Sequence, residues 1–136
     1  MDNAIIKYNY SKATINGTPN SGGLIGLSER YAIITDNFAV GSVLNTGQKI
    51  NGFIGHDQFS TTINNNYWDT YLTGQSTCYY WGTCTPGCYD TNSGCVATSN
   101  AASSYYGLTG IPFSALNFDG NWVAQTNDYP KLYWED

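Results

Sequence analysis

Short apolar runs recur through the first half of the chain, and each is bounded by Asn, Gly or Thr. The run Ala4-Ile5-Ile6 returns as Ala32-Ile33-Ile34 and, more loosely, as Thr61-Thr62-Ile63, a spacing of 28 residues (4 to 32) and then 29 (32 to 61). Runs of this length between turn-forming residues predict β-strands, and no long stripe with the 3.6-residue period of a helix is present. The pattern therefore predicts an all-β fold with many turns.

Two other motifs keep the same spacing. An Asn-aromatic step occurs at Asn9-Tyr10, Asn37-Phe38 and Asn66-Tyr67, and Gly23-Leu24-Ile25-Gly26 returns as Gly52-Phe53-Ile54-Gly55. Several independent motifs at one spacing indicate an internal repeat. Because one such repeat cannot bury its own apolar side, successive repeats are expected to stack.

Stacking would make the repeated side chains neighbours. It would align Ile6, Ile34 and Ile63 in one buried column and Leu24 with Phe53 in another. Asn at the same place in successive repeats would form a ladder of side-chain amide hydrogen bonds. We therefore predict a short right-handed parallel β-helix, or β-solenoid, in which each repeat is one rung.

A β-sandwich is the alternative fold, with the similarity between repeats arising by coincidence between hairpins. It would place Asn-Gly or Asp-Gly turns between strictly alternating strands. Asn16-Gly17 and Asn51-Gly52 fit such turns. The solenoid is favoured because it explains the shared spacing of all the motifs.

The chain is predicted to be one structural unit with three parts. Residues 1–70 are predicted to form the solenoid rungs, residues 71–110 a loop insertion, and residues 111–136 a C-terminal cap. The last rung of a solenoid exposes strand edges and an apolar cross-section, so it requires a cap. The cap would draw its apolar surface from Phe113, Leu116, Phe118, Trp122, Tyr129, Leu132 and Trp134. Sugar binding by Trp122 and Trp134 is an alternative role.

The N-terminal end carries no comparable cap. We expect an exposed strand edge over residues 4–8, and end-to-end association would follow from it. The chain is also expected to be part of a longer secreted protein.

The four cysteines, Cys78, Cys84, Cys88 and Cys95, lie within 18 residues of one another. An even number in a Gly/Thr/Tyr-rich loop suggests disulfides and an oxidising compartment, hence a secreted or cell-surface protein. Four cysteines allow three pairings. We favour Cys78–Cys84 with Cys88–Cys95; the nested pairing of Cys78 with Cys95 and Cys84 with Cys88 is the next choice.

Zinc and calcium are the metal alternatives. Only Cys84-x3-Cys88 has the spacing of a structural zinc knuckle, and the single histidine, His56, is distant in sequence. Residues 90–94 resemble the start of an Asp-x-Asn-x-Gly calcium loop, but Ala101 stands where an EF-hand requires Glu. We therefore predict no metal and no cofactor.

Four aromatic residues, Tyr79, Tyr80, Trp81 and Tyr89, lie among the cysteines. A disulfide-stapled loop rich in aromatic rings is a rigid contact surface, so these residues are candidates for ligand contact. The favoured role is structural, with the rings packed against the solenoid wall, and ligand contact is the alternative. Exposure of Tyr79, Tyr80 and Trp81 would favour a binding module, whereas burial would argue against it.

Composition and charge exclude several classes of function. The chain carries only five basic residues and a net charge of −5, too few cations to neutralise many phosphates, so nucleic acid is not an expected partner. No apolar run approaches the roughly 20 residues of a membrane span. No nucleophile elbow or zinc-protease motif occurs, and the acidic residues are scattered. We therefore predict that the protein is not an enzyme, with a fragment of a glycan-cleaving β-helix as the catalytic alternative.

The repeats resemble the GLUG-type repeats of bacterial and archaeal surface proteins. Residues 22–26 read Gly-Gly-Leu-Ile-Gly and residues 51–55 read Asn-Gly-Phe-Ile-Gly, which departs from the family pattern at its first and third positions. Residues 65–69, 118–122 and 129–134 resemble the family's closing segments, Asn-x-Tyr-Trp-Asp, Phe-x-Gly-x-Trp and Tyr-Pro-x-Leu-x-Trp. The resemblance covers nearly the whole chain apart from the cysteine-bearing insertion at residues 77–106.

The resemblance implies a stalk or spacer within a large adhesin, surface-layer protein or secreted protease. The predicted function is a non-catalytic, extracellular, structural or adhesive module of a larger surface protein or filament. Its expected partners are other domains of that protein or identical subunits, bound through the N-terminal rung, and glycans. The alternative is a carbohydrate- or receptor-binding module that acts through the aromatic residues of the cysteine loop.

Overall fold

The computed structural model of the protein describes residues 4–59, 62–81, 89–91, 95–98, 113 and 116–135. The described part is mostly β-strand, as predicted, with one helical turn. In chain order the elements are β1 (Ile5–Lys7), β2 (Tyr10–Ser11), β3 (Ser21–Gly22), β4 (Ile25–Glu29), β5 (Ile33–Thr35), β6 (Phe38–Ala39), β7 (Ile50–Asn51), β8 (Ile54–Gln58), β9 (Thr62–Asn64), β10 (Asn66–Asp69), α1 (Thr70–Thr73), β11 (Tyr79–Trp81), β12 (Tyr89–Thr91), β13 (Cys95–Thr98), β14 (Trp122–Gln125) and β15 (Asp128–Leu132).

Most strands pair in parallel with the strand one repeat away. The sheets have the orders β1-β5-β9, β2-β6-β10-β13, β3-β7 and β4-β8-β11, and all these pairings are parallel. The strands therefore form layers: β1 to β4 make the first layer, β5 to β8 the second, and β9 to β11 the third. Two pairings are antiparallel: β12 lies on β11, and β14 pairs with β15.

The predicted alignment of the apolar columns is confirmed. Ile6 pairs with Ile34 and Ile34 with Ile63, at the spacing of the repeat. The amide of Leu24 donates to the carbonyl of Phe53 at 3.0 Å. Ile34 and Phe53 are fully buried, whereas Ile6 and Ile63 are half-buried because their strands lie at the edges of the sheet.

The repeated asparagines form a ladder of buried amides, also as predicted. Asn9 Nδ2 lies 3.1 Å from Asn37 Oδ1, and Asn37 Nδ2 lies 2.9 Å from Asn66 Oδ1. The same oxygens accept backbone bonds, from Asn9 N at 2.9 Å and from Asn37 N at 3.3 Å. Asn37 and Asn66 are fully buried, so these bonds satisfy amides that would otherwise be costly to remove from water.

A second amide column lies on another side of the layers. Asn45 Nδ2 donates to Asn16 Oδ1 at 3.2 Å. Gln75 Nε2 donates to the carbonyls of Val43 and Asn45 at 3.0 and 2.8 Å. These segments are largely outside regular strands, so side-chain amides supply cross-layer bonds that a strand ladder would otherwise make.

The corners between strands also repeat from layer to layer. Tyr8, Asp36 and Asn65 have φ angles of 56°, 59° and 52°, in the left-handed region that L-residues rarely adopt. They occupy equivalent positions just before each asparagine of the ladder. Asn65 Nδ2 donates to Asp36 Oδ1 at 3.2 Å, so the corners are tied to one another.

Two glycines allow the layers to approach closely. A Cβ on Gly23 would lie 2.3 Å from the carbonyl oxygen of Gly52, and a Cβ on Gly52 would lie 2.1 Å from Cδ1 of Trp68. Any side chain at either position would collide with the neighbouring layer. The stacking therefore requires the first glycine of each Gly-x-x-Gly motif.

Apolar side chains form two clusters on opposite faces of the β2-β6-β10 strands. Along β6, Phe38 belongs to one cluster and Ala39 to the other, as the alternation of side chains along a strand requires. The inner cluster comprises Ala32, Ile34, Ala39, Phe53, Ile54, Trp68, Cys78 and Tyr79. The outer cluster joins Phe38, Val40 and Tyr67 to Phe113, Leu116, Trp122, Tyr129 and Leu132 of the C-terminal segment.

The C-terminal segment therefore lies across the side of the layers, whereas the sequence predicts a cap over the last rung. The Trp122 ring lies 6.2 Å from Tyr10 in the first layer and 5.2 Å from Phe38 in the second. Phe113 lies 5.5 Å from Tyr67 in the third layer. The reason is that the Asn-aromatic step places one outward-facing aromatic ring in each layer, and this stripe requires cover.

The segment predicted as a loop insertion, residues 71–110, contains strands that continue the stack. In β11, Tyr79 pairs in parallel with Ile54 of the second layer. In β13, Cys95 pairs with Asn66, which continues the 29-residue spacing (66 to 95) into a further layer. These strands share almost no residues with the repeats, so the sequence pattern does not mark them.

Replacing Asn37 with alanine should lower the free energy of unfolding by about 3 kcal/mol, because it removes several hydrogen bonds and leaves buried partners unsatisfied. Asn37 Nδ2 also donates to the carbonyls of Ile6 and Thr35, at 3.1 and 2.8 Å. Chemical denaturation measures the change. Asn127→Ala is the matched control, because Asn127 is exposed in the turn between β14 and β15; a cost equal to that of Asn37→Ala would show that the ladder contributes little.

Candidate interaction face

All four strands of the first layer are sheet edges on the same side. Among the described residues, β1, β2, β3 and β4 each pair with a single strand, which belongs to the second layer. Their outward N–H and C=O groups face away from the stack, where a further strand can pair. We call this side of the first layer, formed by residues 4–29, the N-terminal face.

The opposite side of the stack is built differently. The β4-β8-β11 sheet ends in β12, which runs antiparallel to β11. An antiparallel strand breaks the parallel order that the other layers share. Within the described residues the two ends of the stack are therefore not equivalent, since the N-terminal face is the end that presents the repeat pattern of all four strands.

Asn9 is the chemically distinctive residue of the N-terminal face. It is exposed, and its Nδ2 donates to the carbonyl of Lys7 at 2.8 Å and to Asn37 Oδ1. In each deeper layer the corresponding Oδ1 accepts two bonds from the layer before it. Within the described part of the chain, Asn9 Oδ1 accepts none. The N-terminal face thus ends the ladder on an acceptor.

The N-terminal face also carries a cation and apolar side chains. Lys7 Nζ lies 3.5 Å from Asp36 Oδ2 and 3.2 Å from the Tyr8 hydroxyl. The hydrogen bond with Tyr8, together with the charge interactions with Tyr8 and Asp36, outweighs the effect of burial and raises the pKa of Lys7. Ile5 is 66% exposed, which is unusual for isoleucine in a strand. The exposed edge predicted for residues 4–8 is therefore present.

The predicted cysteine site falls only partly within the described residues. Cys78 is fully buried in the inner cluster and is disulfide-bonded. Cys95 lies in β13, next to Asn66 of β10. Cys84 and Cys88, and the side chain of Cys95, lie outside the described residues, so the pairing of the four cysteines stays a prediction.

The predicted ligand-contact aromatics are mostly inside the protein. Tyr79 is 5% exposed and Tyr80 is 7% exposed, which removes both rings from an accessible contact surface. Tyr80 packs 5.6 Å from His56, and the half-buried Trp81 lies 6.2 Å from Phe59. The side chain of Tyr89 lies outside the described residues. The burial of Tyr79 and Tyr80 is that of rings packed against the layers, the structural role favoured from the sequence.

The two tryptophans considered for sugar binding differ in environment. Trp122 is 1% exposed beneath the C-terminal segment, so it cannot offer its face to a sugar. Trp134 is 54% exposed and packs edge-on to Tyr133 at 4.9 Å. The described surface contains no pocket, and the described residues include no group of three or more His, Cys, Asp or Glu side chains placed to hold a metal ion. The stretch at residues 90–94 lies largely outside the described part.

Asp69 has a role that the sequence pattern did not reveal. One carboxylate oxygen accepts from the amides of Tyr71 and Leu72 at 2.8 and 3.1 Å and so caps α1. The other accepts from the Tyr129 hydroxyl. Asp69 and Tyr129 are both buried, so this bond fastens the C-terminal segment to the third layer. In the sequence, Asp69 is marked only by the Tyr-Trp-Asp motif, and this motif does not identify Tyr129 as the partner of Asp69.

A second polar contact fastens the C-terminal segment to the first layer. Lys12 Nζ lies 2.5 Å from Asp128 Oδ2. Burial alone would raise the pKa of Asp128, but the hydrogen bonds from Lys12 and from the Tyr129 amide outweigh it and lower the pKa. Burial, with the hydrogen bond to Glu135, raises the pKa of Tyr10. The segment is thus tied to both the first and third layers.

Comparison with protein-family models, curated proteins and solved structures finds no match for the chain. A search of the described residues for a membrane-spanning helix finds none.

Replacing Tyr129 with phenylalanine should lower the free energy of unfolding by about 1–3 kcal/mol, because the buried Asp69 carboxylate loses a hydrogen-bond donor. Denaturant titration of both proteins measures the change. Tyr133→Phe is the matched control: Tyr133 is 61% exposed, and the substitution should change stability by less than about 0.5 kcal/mol. Equal effects at the two positions would show that the Asp69–Tyr129 bond does not hold the segment.

Proposed function

We propose that the protein is a non-catalytic structural module, a short right-handed β-solenoid of the GLUG-repeat class, which joins further chain segments through its N-terminal face. Parallel pairing at the 28- to 29-residue spacing supports a solenoid, because each layer repeats the strand and corner positions of the layer before it. The Gly-Gly-Leu-Ile-Gly and closing motifs carry the resemblance to GLUG repeats.

The observation that carries the proposal is the difference between the two ends of the stack. The N-terminal face leaves four parallel strand edges unpaired within the described residues, with the exposed Ile5 beside them. Exposed edges of this kind are normally covered, because they otherwise pair with other chains without selectivity. A module whose first layer matches the pattern of its inner layers is suited to continue a stack.

An extracellular surface is the proposed setting. The chain is poor in charge and rich in Gly, Asn and Tyr, and its cysteines are clustered. Disulfides within such a cluster form in oxidising compartments and would stabilise the segment between β11 and β13. In this setting the module would act as a spacer, or as the terminal part of an adhesin or filament. The burial of Tyr79 and Tyr80 gives the binding alternative less support.

Adding one layer to the chain tests the proposal. A copy of residues 32–60 placed directly before Ala4 would bring strands equivalent to β5–β8 onto β1–β4. The added layer should fold onto the face, slow amide exchange at the first-layer edges and raise the thermal midpoint. The matched control is the same copy with its Ile34→Pro, since proline removes a donor from the strand. An added segment that stays unstructured in both proteins would contradict the proposal.

A further inference from the structure

The asparagine ladder has a direction, and this direction limits what the N-terminal face can bind. At each step the earlier asparagine donates, through its backbone N–H and its Nδ2, to the Oδ1 of the next. Donors therefore point toward later layers and acceptors toward earlier ones. A segment that covers the N-terminal face must supply donors to Asn9 Oδ1.

Among the described residues, the far end of a second copy of this chain lacks the side-chain donor of the ladder. There the ladder position after Asn66 is occupied by Cys95, which has no amide side chain. The adjoining sheet ends in antiparallel β12, which does not match the parallel edge of β4. Two N-terminal faces placed together would not continue the ladder, because the ladder donors of each face point toward its own later layers.

The pairing between the first and second layers defines what does fit. Asn9 N and Nδ2 lie 2.9 and 3.1 Å from Asn37 Oδ1, and the strands on either side are in parallel register. A segment that makes the same contacts with Asn9 must carry asparagine in an equivalent position. That position directly follows a residue with left-handed backbone geometry, at the start of a strand. Alanine offers no side-chain donor, and aspartate would place a carboxylate against the Asn9 oxygen.

We infer that the partner of the N-terminal face is another layer of the same repeat class with asparagine at the ladder position, and that a second copy of this chain is not the partner. The inference rests on the proposed function and names the partner of that same face. The ladder thus acts as a selective contact: strand edges alone would accept any extended chain, and the buried amide step favours the correct repeat in the correct direction.

A double-mutant cycle on the extended chain tests the inference. The copied layer carries Asn or Ala at its own position 37, and the original first layer carries Asn9 or Ala. With Asn9 present, Asn37→Ala in the copy should reduce the folding equilibrium of the added layer by about tenfold, because one buried amide contact is lost. With Asn9→Ala, the same change should have a much smaller effect. Asn37→Asp in the copy should reduce the equilibrium at least as much as Asn37→Ala.

The outcomes separate the inference from the proposed function. If no version of the added layer folds onto the face, the proposed function fails and the inference fails with it. If all versions fold equally and the cycle shows no coupling, the face joins layers but does not select asparagine, which overturns the inference alone. Sedimentation of the unextended chain is the second measurement: a monomer is expected, and a concentration-dependent dimer or filament would show that a second copy is the partner.

Discussion

The structure depends on parallel stacking at a fixed spacing, and the buried asparagine ladder is the interaction that fixes it. Backbone pairing between parallel strands can slip by two residues and still keep the same side chains inward. The amides of Asn9, Asn37 and Asn66 do not tolerate such a slip. Asn37 and Asn66 are fully buried, and in the described part of the chain the ladder amides bond to one another, to the backbone N–H groups of Asn9 and Asn37, and to nearby carbonyls. The left-handed corner before each asparagine is the same in every layer, and Gly23 and Gly52 permit the close approach that this register demands. Apolar burial then stabilises layers whose alignment is already set.

The same periodicity explains the course of the C-terminal segment. Each asparagine is followed by an outward-facing aromatic ring, so stacking produces a stripe of Tyr10, Phe38 and Tyr67 along one side. The hairpin of β14 and β15 covers this stripe, and polar contacts at its two ends, Lys12 with Asp128 and Asp69 with Tyr129, hold it against the first and third layers. This arrangement leaves the N-terminal face uncovered within the described residues. The covered aromatic stripe and the uncovered N-terminal face are consistent with the stacking of further layers along one axis.

The sequence was sufficient to predict the features that repeat. Identical residue types at one spacing placed the apolar columns, the ladder and the exposed first edge, because stacking forces equivalent residues into contact. It was not sufficient for features that occur once. Tyr79 and Cys95 extend two of the sheets, yet they replace Ile54 and Asn66 with unlike side chains, so nothing in the sequence distinguished them from loop. The position of the C-terminal segment depended on Asp69 and Tyr129, which lie 60 residues apart and form one contact without a motif.

The order of stability among the layers tests this account most directly. Residue-resolved amide hydrogen exchange on the unmodified protein should show the slowest exchange where a strand is flanked on both sides, at the amides of Phe38 and Tyr67, which donate to Asn9 and Asn37 carbonyls at 3.0 and 2.9 Å. Amides of β1 to β4 should exchange faster, because the N-terminal face leaves their outer side open. Uniform protection across the layers, or slowest exchange in the first layer, would contradict the account, since it would mean that the N-terminal face is not an open end.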